Sequence, residues 1–181
     1  RTGRGATARD RPGSGGRVRA GAAATMTVSG ALEAAARHHA AGRLGDAERL
    51  YDAVLAALPD HAEALHRRGV LAFQHGALDH AADLVRRAIA VDGDAPDLYN
   101  SLGNILLRQD DPRGAVECYR KSLAIAADDA VVHVNLGIAL YGVGELSAAA
   151  AALGDGVGRM PEHAQARAAL GQSAPAPADD R

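Results

Sequence analysis

The amino-acid sequence predicts an all-α solenoid of about four helix-turn-helix units, and three observations carry this prediction. Similar residue types recur every 34 positions, and apolar residues recur at helical spacing within each unit. Aromatic residues make up only 3% of the 181-residue chain, although 48% of its residues are hydrophobic. A core of Ala, Leu and Val with few aromatics suits closely packed helices better than a β-sandwich.

The 34-residue period is visible in five columns of the sequence. Two columns hold small residues, at Ala47, Ala81, Ala115 and Ala149 and at Ala35, Gly69, Gly103, Gly137 and Gly171. The other three comprise Tyr51, Val85, Tyr119 and Leu153; Pro59, Gly93, Ala127 and Pro161; and Gly42, Gly76, Asp110 and Gly144. Because five columns share one period, we divide the chain into units 28–61, 62–95, 96–129 and 130–163.

Each unit has the pattern of two helices joined by a short turn. In the third unit Leu98 and Leu102 recur at helical spacing, a turn follows at 109–112, and Ala115 and Tyr119 share one face of the next helix. The small columns allow two helix backbones to approach closely. A single helix pair cannot bury its own apolar face, so neighbouring units are expected to stack.

The two ends of the chain differ from the repeats. Residues 1–27 are predicted to be disordered, since they are rich in Arg, Gly and Ala without apolar periodicity. We expect the natural chain to begin at Met26, and an arginine-rich transit peptide is the alternative. The repeat domain is predicted over 28–171, where 164–171 match the first helix of a fifth unit and should form a capping helix. Residues 172–181 should be a disordered tail.

Charge and cysteine content exclude several classes of function. The formal net charge is −2, but residues 1–25 carry six Arg against one Asp, and the remainder carries 14 basic and 21 acidic residues. An acidic folded part argues against a nucleic-acid partner. Cys118 is the only cysteine, so we expect no internal disulfide and a reducing, cytoplasmic location. No apolar run is long enough for a membrane span, and we expect no membrane partner.

The columns resemble the tetratricopeptide repeat, whose signature is a bulky residue, Leu-Gly, a further bulky residue, Ala, an aromatic, Ala and Pro. The third unit shows most of these, at Tyr99, Leu102, Gly103, Leu106, Ala115 and Tyr119. The resemblance covers 28–171 and implies a right-handed solenoid that binds a protein or peptide client. The opening bulky column departs from the family because it contains no Trp.

A narrower resemblance involves the first unit. Residues 38–51, with His-His-Ala-Ala-Gly-Arg-Leu followed by Ala-Glu-Arg-Leu-Tyr, are similar to the first repeat of bacterial proteins related to O-linked N-acetylglucosamine transferases. Similar repeats also precede bacterial methyltransferases and sulfotransferases. The alternative function is therefore an N-terminal targeting region separated from such an enzyme. Because the sequence continues only briefly past the fourth unit, we expect no catalytic region in it.

Residues that could carry catalysis do not form an active-site pattern. His38 and His39 are adjacent and point to different sides of a helix, and no His pair has metal-ligand spacing with a carboxylate. Cys118 has no neighbouring base in the sequence and is expected to be inert. The stretch 154–158 is rich in Gly but lacks the Gly-Lys ending of a phosphate loop. We therefore expect no enzyme activity, no metal and no cofactor.

The resemblance places the binding site on the concave face, which the first helices line. In the transferase relatives, Asn at the column of Asn135 forms a ladder that grips peptide backbone amides. An Asn side chain both donates and accepts, so it can pair with a peptide group whatever the client's side chains are. Here the site is predicted at five residues, Arg67, Asn100, Ser101, Asn104 and Asn135. The charge of Arg67 predicts some preference for acidic residues in the client.

Overall fold

The computed structural model describes residues 16–19 and 25–160. Within these ranges the chain forms two short strands and eight helices. In chain order they are β1 (Arg17–Arg19), β2 (Thr25–Thr27), α1 (Val28–Ala40), α2 (Leu44–Ala57), α3 (Ala62–Gln74), α4 (Leu78–Val91), α5 (Pro96–Arg108), α6 (Pro112–Ile125), α7 (Ala130–Val143) and α8 (Leu146–Arg159).

Consecutive helices pair as hairpins, and the hairpins stack. The pairs α1–α2, α3–α4, α5–α6 and α7–α8 have the most extensive contacts, and each second helix also packs on the first helix of the next unit. One pair therefore lies in each 34-residue unit, and the predicted all-α helical repeat array is confirmed. No helix in the described ranges is long and apolar enough to cross a membrane.

The turn inside each unit uses left-handed backbone. Gly42, Gly76 and Gly144 have φ values of +72°, +78° and +87°, and Asp110 occupies the same position in the turn of unit three with φ +62°. Left-handed backbone favours Gly, and Asp and Asn tolerate it better than other side chains. The column that Asp110 interrupts in the sequence is therefore continuous in conformation.

The Gly column of the first helices lets the second helices pack closely. A Cβ at Gly103 would lie 2.6 Å from the Tyr119 ring, and one at Gly137 would lie 2.6 Å from the Leu153 side chain. These partners belong to the column of Tyr51, Val85, Tyr119 and Leu153. The Gly column of the first helices and the Tyr51 column of the second helices therefore pack against each other, and this contact recurs along the array.

The prediction of disorder was wrong for residues 17–19 and 25–27. These residues form an antiparallel pair, β1–β2, in which Val18 lies opposite Met26. Val18 is buried in the same core cluster as Val28 and Leu32 of α1. An isolated two-stranded pair is marginally stable, and here the face of α1 and α2 supplies the apolar partner surface. The other residues of 1–27 lie outside the described ranges.

The exposed end of unit four is unusually apolar. Ile138 and Tyr141 of α7 are 52% and 70% exposed. The equivalent residues of unit three, Asn104 and Leu107, are only half-exposed. Unit three is followed by α7, whereas no described helix follows unit four. The predicted cap at 164–171 would cover this face, but both it and the tail lie outside the described residues.

Candidate binding site on the concave face

The first helices line one continuous surface. Among the described residues α3 contacts α5 and α5 contacts α7, whereas the second helices of successive units are farther apart. The first helices therefore lie on the concave side. Hydrogen bonds between side chains 35 residues apart join successive first helices, at His39–Gln74 (2.9 Å), His66–Ser101 (2.8 Å) and Asn135–Asn100 (3.1 Å).

All three asparagines of the sequence meet at one place on this face, and we call them the amide cluster. Asn100 and Asn104 lie on α5, one turn apart, and Asn135 lies opposite them on α7. The Nδ2 group of Asn135 donates to Oδ1 of Asn100 at 3.1 Å and to Oδ1 of Asn104 at 3.4 Å. All three side chains are half-buried. The cluster therefore holds its amides in fixed orientations at the surface.

The buried side chain of Tyr119 holds the amide cluster from the core side. Its hydroxyl donates to Oδ1 of Asn104 at 2.8 Å, and its ring is fully buried against Gly103. Burial raises the pKa of Tyr119 above its ordinary value, so the hydroxyl stays protonated and remains a donor. The sequence showed Tyr119 only as a core aromatic. The available signal was the combination of a Tyr with an Asn fifteen positions earlier, across one helix pair.

The amide cluster leaves both donors and an acceptor for a ligand. The Nδ2 groups of Asn100 and Asn104 and Oδ1 of Asn135 have no partner among the described residues. A peptide group carries one N–H donor and one C=O acceptor. The free atoms of the cluster are therefore complementary to a peptide group that lies across α5 and α7.

The other two predicted residues, Arg67 and Ser101, lie beside a separate cavity between α1, α3 and α5. We call this cavity of about 470 Å³ the charged groove, with Glu63, His66, Arg67, Asp92, Asp97 and Leu98 among its lining residues. Ser101 adjoins it through its hydrogen bond to His66. The structure thus brings three of the five predicted residues together and separates the other two from them.

Arg67 is not a free cation. Its Nε donates to Oε1 of Glu63, one turn earlier on α3, at 2.9 Å. Asp92 and Asp97 also line the groove, and neither has an ion-pair partner in the described part of the chain. The groove is therefore net negative, and its charges do not support the predicted preference for acidic residues in the client. The pairing was visible in the sequence, since Glu and Arg four positions apart lie on one helix face.

Burial also governs the two remaining reactive groups. It lowers the pKa of His66, against an opposing effect of Asp97, so His66 is neutral near pH 7. It raises the pKa of the Cys118 thiol, which accords with an unreactive cysteine. Within residues 16–19 and 25–160, no group of three or more His, Cys, Asp or Glu side chains could hold a metal ion.

The fold and this surface define a helical-repeat protein. Two sequence models described as tetratricopeptide repeat match residues 32–96 and 97–127, which together make up more than half of the chain. The chain therefore belongs to the tetratricopeptide repeat family. Human tetratricopeptide repeat protein 7B is 30% identical over 91 residues, which are 50% of this chain and 11% of that protein. The chain thus spans about a tenth of the length of the curated relatives it matches.

Solved structures show the same fold. MamA superposes with a TM-score of 0.70 at 23% identity, over 77% of this chain and 81% of that one. YrrB, a tetratricopeptide repeat protein with an unusual peptide-binding site, has a TM-score of 0.66 at 21% identity, over 75% and 70%. The Thermobaculum terrenum O-GlcNAc transferase is 30% identical with a TM-score of 0.61, over 62% of this chain and 22% of the transferase. The similarity to repeats of transferase relatives is thereby confirmed.

Proposed function

We propose that this chain is a binding scaffold that holds an extended segment of a client protein on its concave face. The observation that carries the proposal is the amide cluster, in which three asparagines present two free donor groups and one free acceptor on adjacent first helices. The peptide-binding site of YrrB, which has the same fold, supports the choice of a peptide ligand.

Contacts to the client's backbone give affinity without strong sequence preference. Each hydrogen bond contributes about 1 kcal/mol net, so three bonds change the dissociation constant by roughly a hundredfold. Such a site is weak by itself and needs side-chain contacts from the same face. The chain then acts by binding rather than catalysis, in a reducing cytoplasm, with neither nucleic acid nor membrane as its partner.

A second candidate function is the targeting region of a glycosyltransferase-like, methyltransferase or sulfotransferase enzyme. The observation in its favour is the 30% identity to the O-GlcNAc transferase, of which this chain covers 22%. The concave face would bind a client in both cases. Sequencing the gene beyond the codon of Arg181 separates the two, since a continuing frame that encodes a large α/β region would favour the enzyme.

The proposal is tested by selecting a display library of short random peptides on the immobilised full chain. Synthetic versions of the selected peptides are then titrated by calorimetry against the unchanged chain and the variant Asn104→Ala plus Asn135→Ala. We expect the variant to bind about tenfold more weakly or worse, because it removes two of the amides. Asn100→Ala plus Asn135→Ala keeps the Tyr119–Asn104 hydrogen bond and replaces the first variant if that one loses stability.

The matched control is Arg113→Ala plus Glu117→Ala. Both side chains are exposed on α6, outside the first helices, and together they leave the net charge unchanged. The control should bind the selected peptides like the unchanged chain. If the asparagine variants keep the same affinity and the same circular dichroism spectrum, the amide cluster is not the site. If the control loses binding instead, the client lies on the second helices.

A further inference from the structure

The charged groove is an open cleft with room for a side chain. Its volume of about 470 Å³ lies within the range of ordinary ligand sites, and its walls come from three first helices and the loop before α5. Leu98 and Val70 give it an apolar wall, and Leu98 is almost fully buried. The groove borders α5, the helix that also carries Asn100 and Asn104. A client that crosses the amide cluster can therefore continue into it.

The polar groups around the groove favour a cation. Glu63 is paired with Arg67, which leaves the carboxylates of Asp92 and Asp97 exposed and without a cationic partner among the described residues. His66 is held neutral by burial and offers no compensating charge. A positively charged side chain that enters the groove meets two free carboxylates and aliphatic carbon along its stem.

A buried tyrosine lies next to two charged residues of the groove. The Tyr51 hydroxyl is fully buried and has no hydrogen-bond partner in the described part of the chain. Its charged neighbours are Arg67 and Glu63, both of which line the groove. Burial raises the pKa of Tyr51, and Arg67 lies close enough to the hydroxyl to lower that pKa in part, although the contact lacks hydrogen-bond geometry. A buried hydroxyl without a partner is rare in native proteins and is unfavourable. The hydroxyl adjoins the cavity through Arg67.

We propose that the charged groove binds a lysine or arginine side chain of an extended client segment, next to the amide cluster that holds the client's backbone. This inference rests on the proposed function, since it assigns a side-chain preference to the same concave face. The client's cation lies against the free carboxylates of Asp92 and Asp97, and Arg67 stays paired with Glu63.

The test uses three labelled probes built on one Gly/Ser peptide that carries two lysines, two glutamines or two glutamates at the same positions. Fluorescence anisotropy at low and moderate salt gives their affinities for the full chain. We expect the lysine probe to bind about three- to tenfold more tightly than the glutamine probe, and the glutamate probe to bind most weakly. Salt should reduce the difference between the probes.

Asp92→Asn plus Asp97→Asn should remove the advantage of the lysine probe and leave the glutamine probe unchanged. The matched control is Asp110→Asn plus Glu117→Gln, which removes two exposed carboxylates from the α5–α6 turn and α6. The control has the same change in net charge and should keep the advantage. If both double variants lose it equally, the attraction is a general effect of net charge and the groove is not the site.

Two further outcomes separate this inference from the proposed function. If the lysine and glutamine probes bind equally, the groove has no preference for cations, although the backbone site stands. If no probe binds up to millimolar concentration, both proposals fail. Asn104→Ala plus Asn135→Ala should weaken all three probes by a similar factor and preserve their ranking.

The chain's own arginine-rich start is the competing occupant. Replacing Arg4, Arg9 and Arg11 with Ser in the full chain should leave the affinity for the lysine probe unchanged. An increase in that affinity would mean that the chain's own arginines fill the groove, and it would overturn the assignment to a client.

Discussion

The charged groove and the amide cluster lie on the same face, but the tyrosine hydroxyls beneath them have different surroundings. Tyr51 and Tyr119 belong to one column, two periods apart, and both are fully buried. Tyr119 donates to Asn104, whereas the equivalent position of the first unit is Ala36, and the Tyr51 hydroxyl has no hydrogen-bond partner among the described residues. Whether Asn or Ala occupies this position of the first helix therefore decides whether the buried tyrosine hydroxyl has an amide partner.

The first helices also carry chemically different side chains at equivalent positions along the concave face. In α5 and α7 the inward positions carry neutral amides, which suit a peptide backbone. In α3 they carry His66 and Arg67, whose neighbours Glu63 and Asp97 make that half charged. The two proposals together assign backbone recognition and side-chain recognition to different units of one array.

The largest expected effect comes from disturbing the packing beneath the amide cluster. Gly103→Val should destabilise the chain by roughly 3 kcal/mol, because its side chain would overlap the buried Tyr119 ring. Thermal unfolding measures the loss, and peptide binding should fall with it. Gly45→Val is the control, since nothing lies within 4 Å of a Cβ at Gly45. Equal melting temperatures for the two variants would show that the tight Gly103–Tyr119 contact is not required.

A smaller effect extends the comparison to unit four. Ser122 of α6 donates to the Pro96 carbonyl, and a Cβ at Gly156, one period later, would lie 2.9 Å from the equivalent Ala130 carbonyl. Gly156→Ala should therefore destabilise the chain by about 1–2 kcal/mol. Gly154→Ala has open space around its Cβ and should stabilise α8 by about 0.5–1 kcal/mol. Shifts of the same sign in urea unfolding would contradict this account of α8.

The two tyrosines give the most direct test of the comparison. Tyr119→Phe should cost about 1 kcal/mol, because Asn104 loses a buried hydrogen bond. Tyr51→Phe should be neutral or stabilising by up to about 1 kcal/mol, because it removes a hydroxyl without a partner. Urea unfolding midpoints of the two variants measure the difference. A similar loss for both would mean that Tyr51 has a partner in solution.

The smallest expected effect concerns the pH dependence of the chain's stability, through His66 in the charged groove. Burial lowers the pKa of His66 in the folded chain below its ordinary value of about 6.5, so the unfolded chain binds the proton more readily. This contribution to stability is complete above pH 6.5 and falls as the pH drops towards the folded-state pKa. His66→Gln, which can still hydrogen bond with Ser101, should show a shallower decline in melting temperature between pH 7 and pH 5. An identical decline would exclude His66 as a source.

Much of the architecture could be predicted from the sequence because packing repeats with the chain. A 34-residue period forces equivalent residues into equivalent contacts, so the Gly103–Tyr119 contact recurs as Gly137–Leu153. The resemblance to the tetratricopeptide repeat, rather than the period alone, predicted all three asparagines on the concave face. The β1–β2 pair could not be predicted because neither strand is stable alone, and only the surface of α1 and α2 makes burial of Val18 favourable.

The sequence by itself determined the units, their helix pairs and the columns that face inward, since these follow from periodicity and residue size. Only the tertiary structure decided which polar atoms find partners across units and which stay open. Hydrogen bonds such as Asn135–Asn100 require two helices of different units to lie within a few tenths of an ångström of one spacing. Neither the free amide groups nor the isolated Tyr51 hydroxyl could therefore be inferred from residue identity.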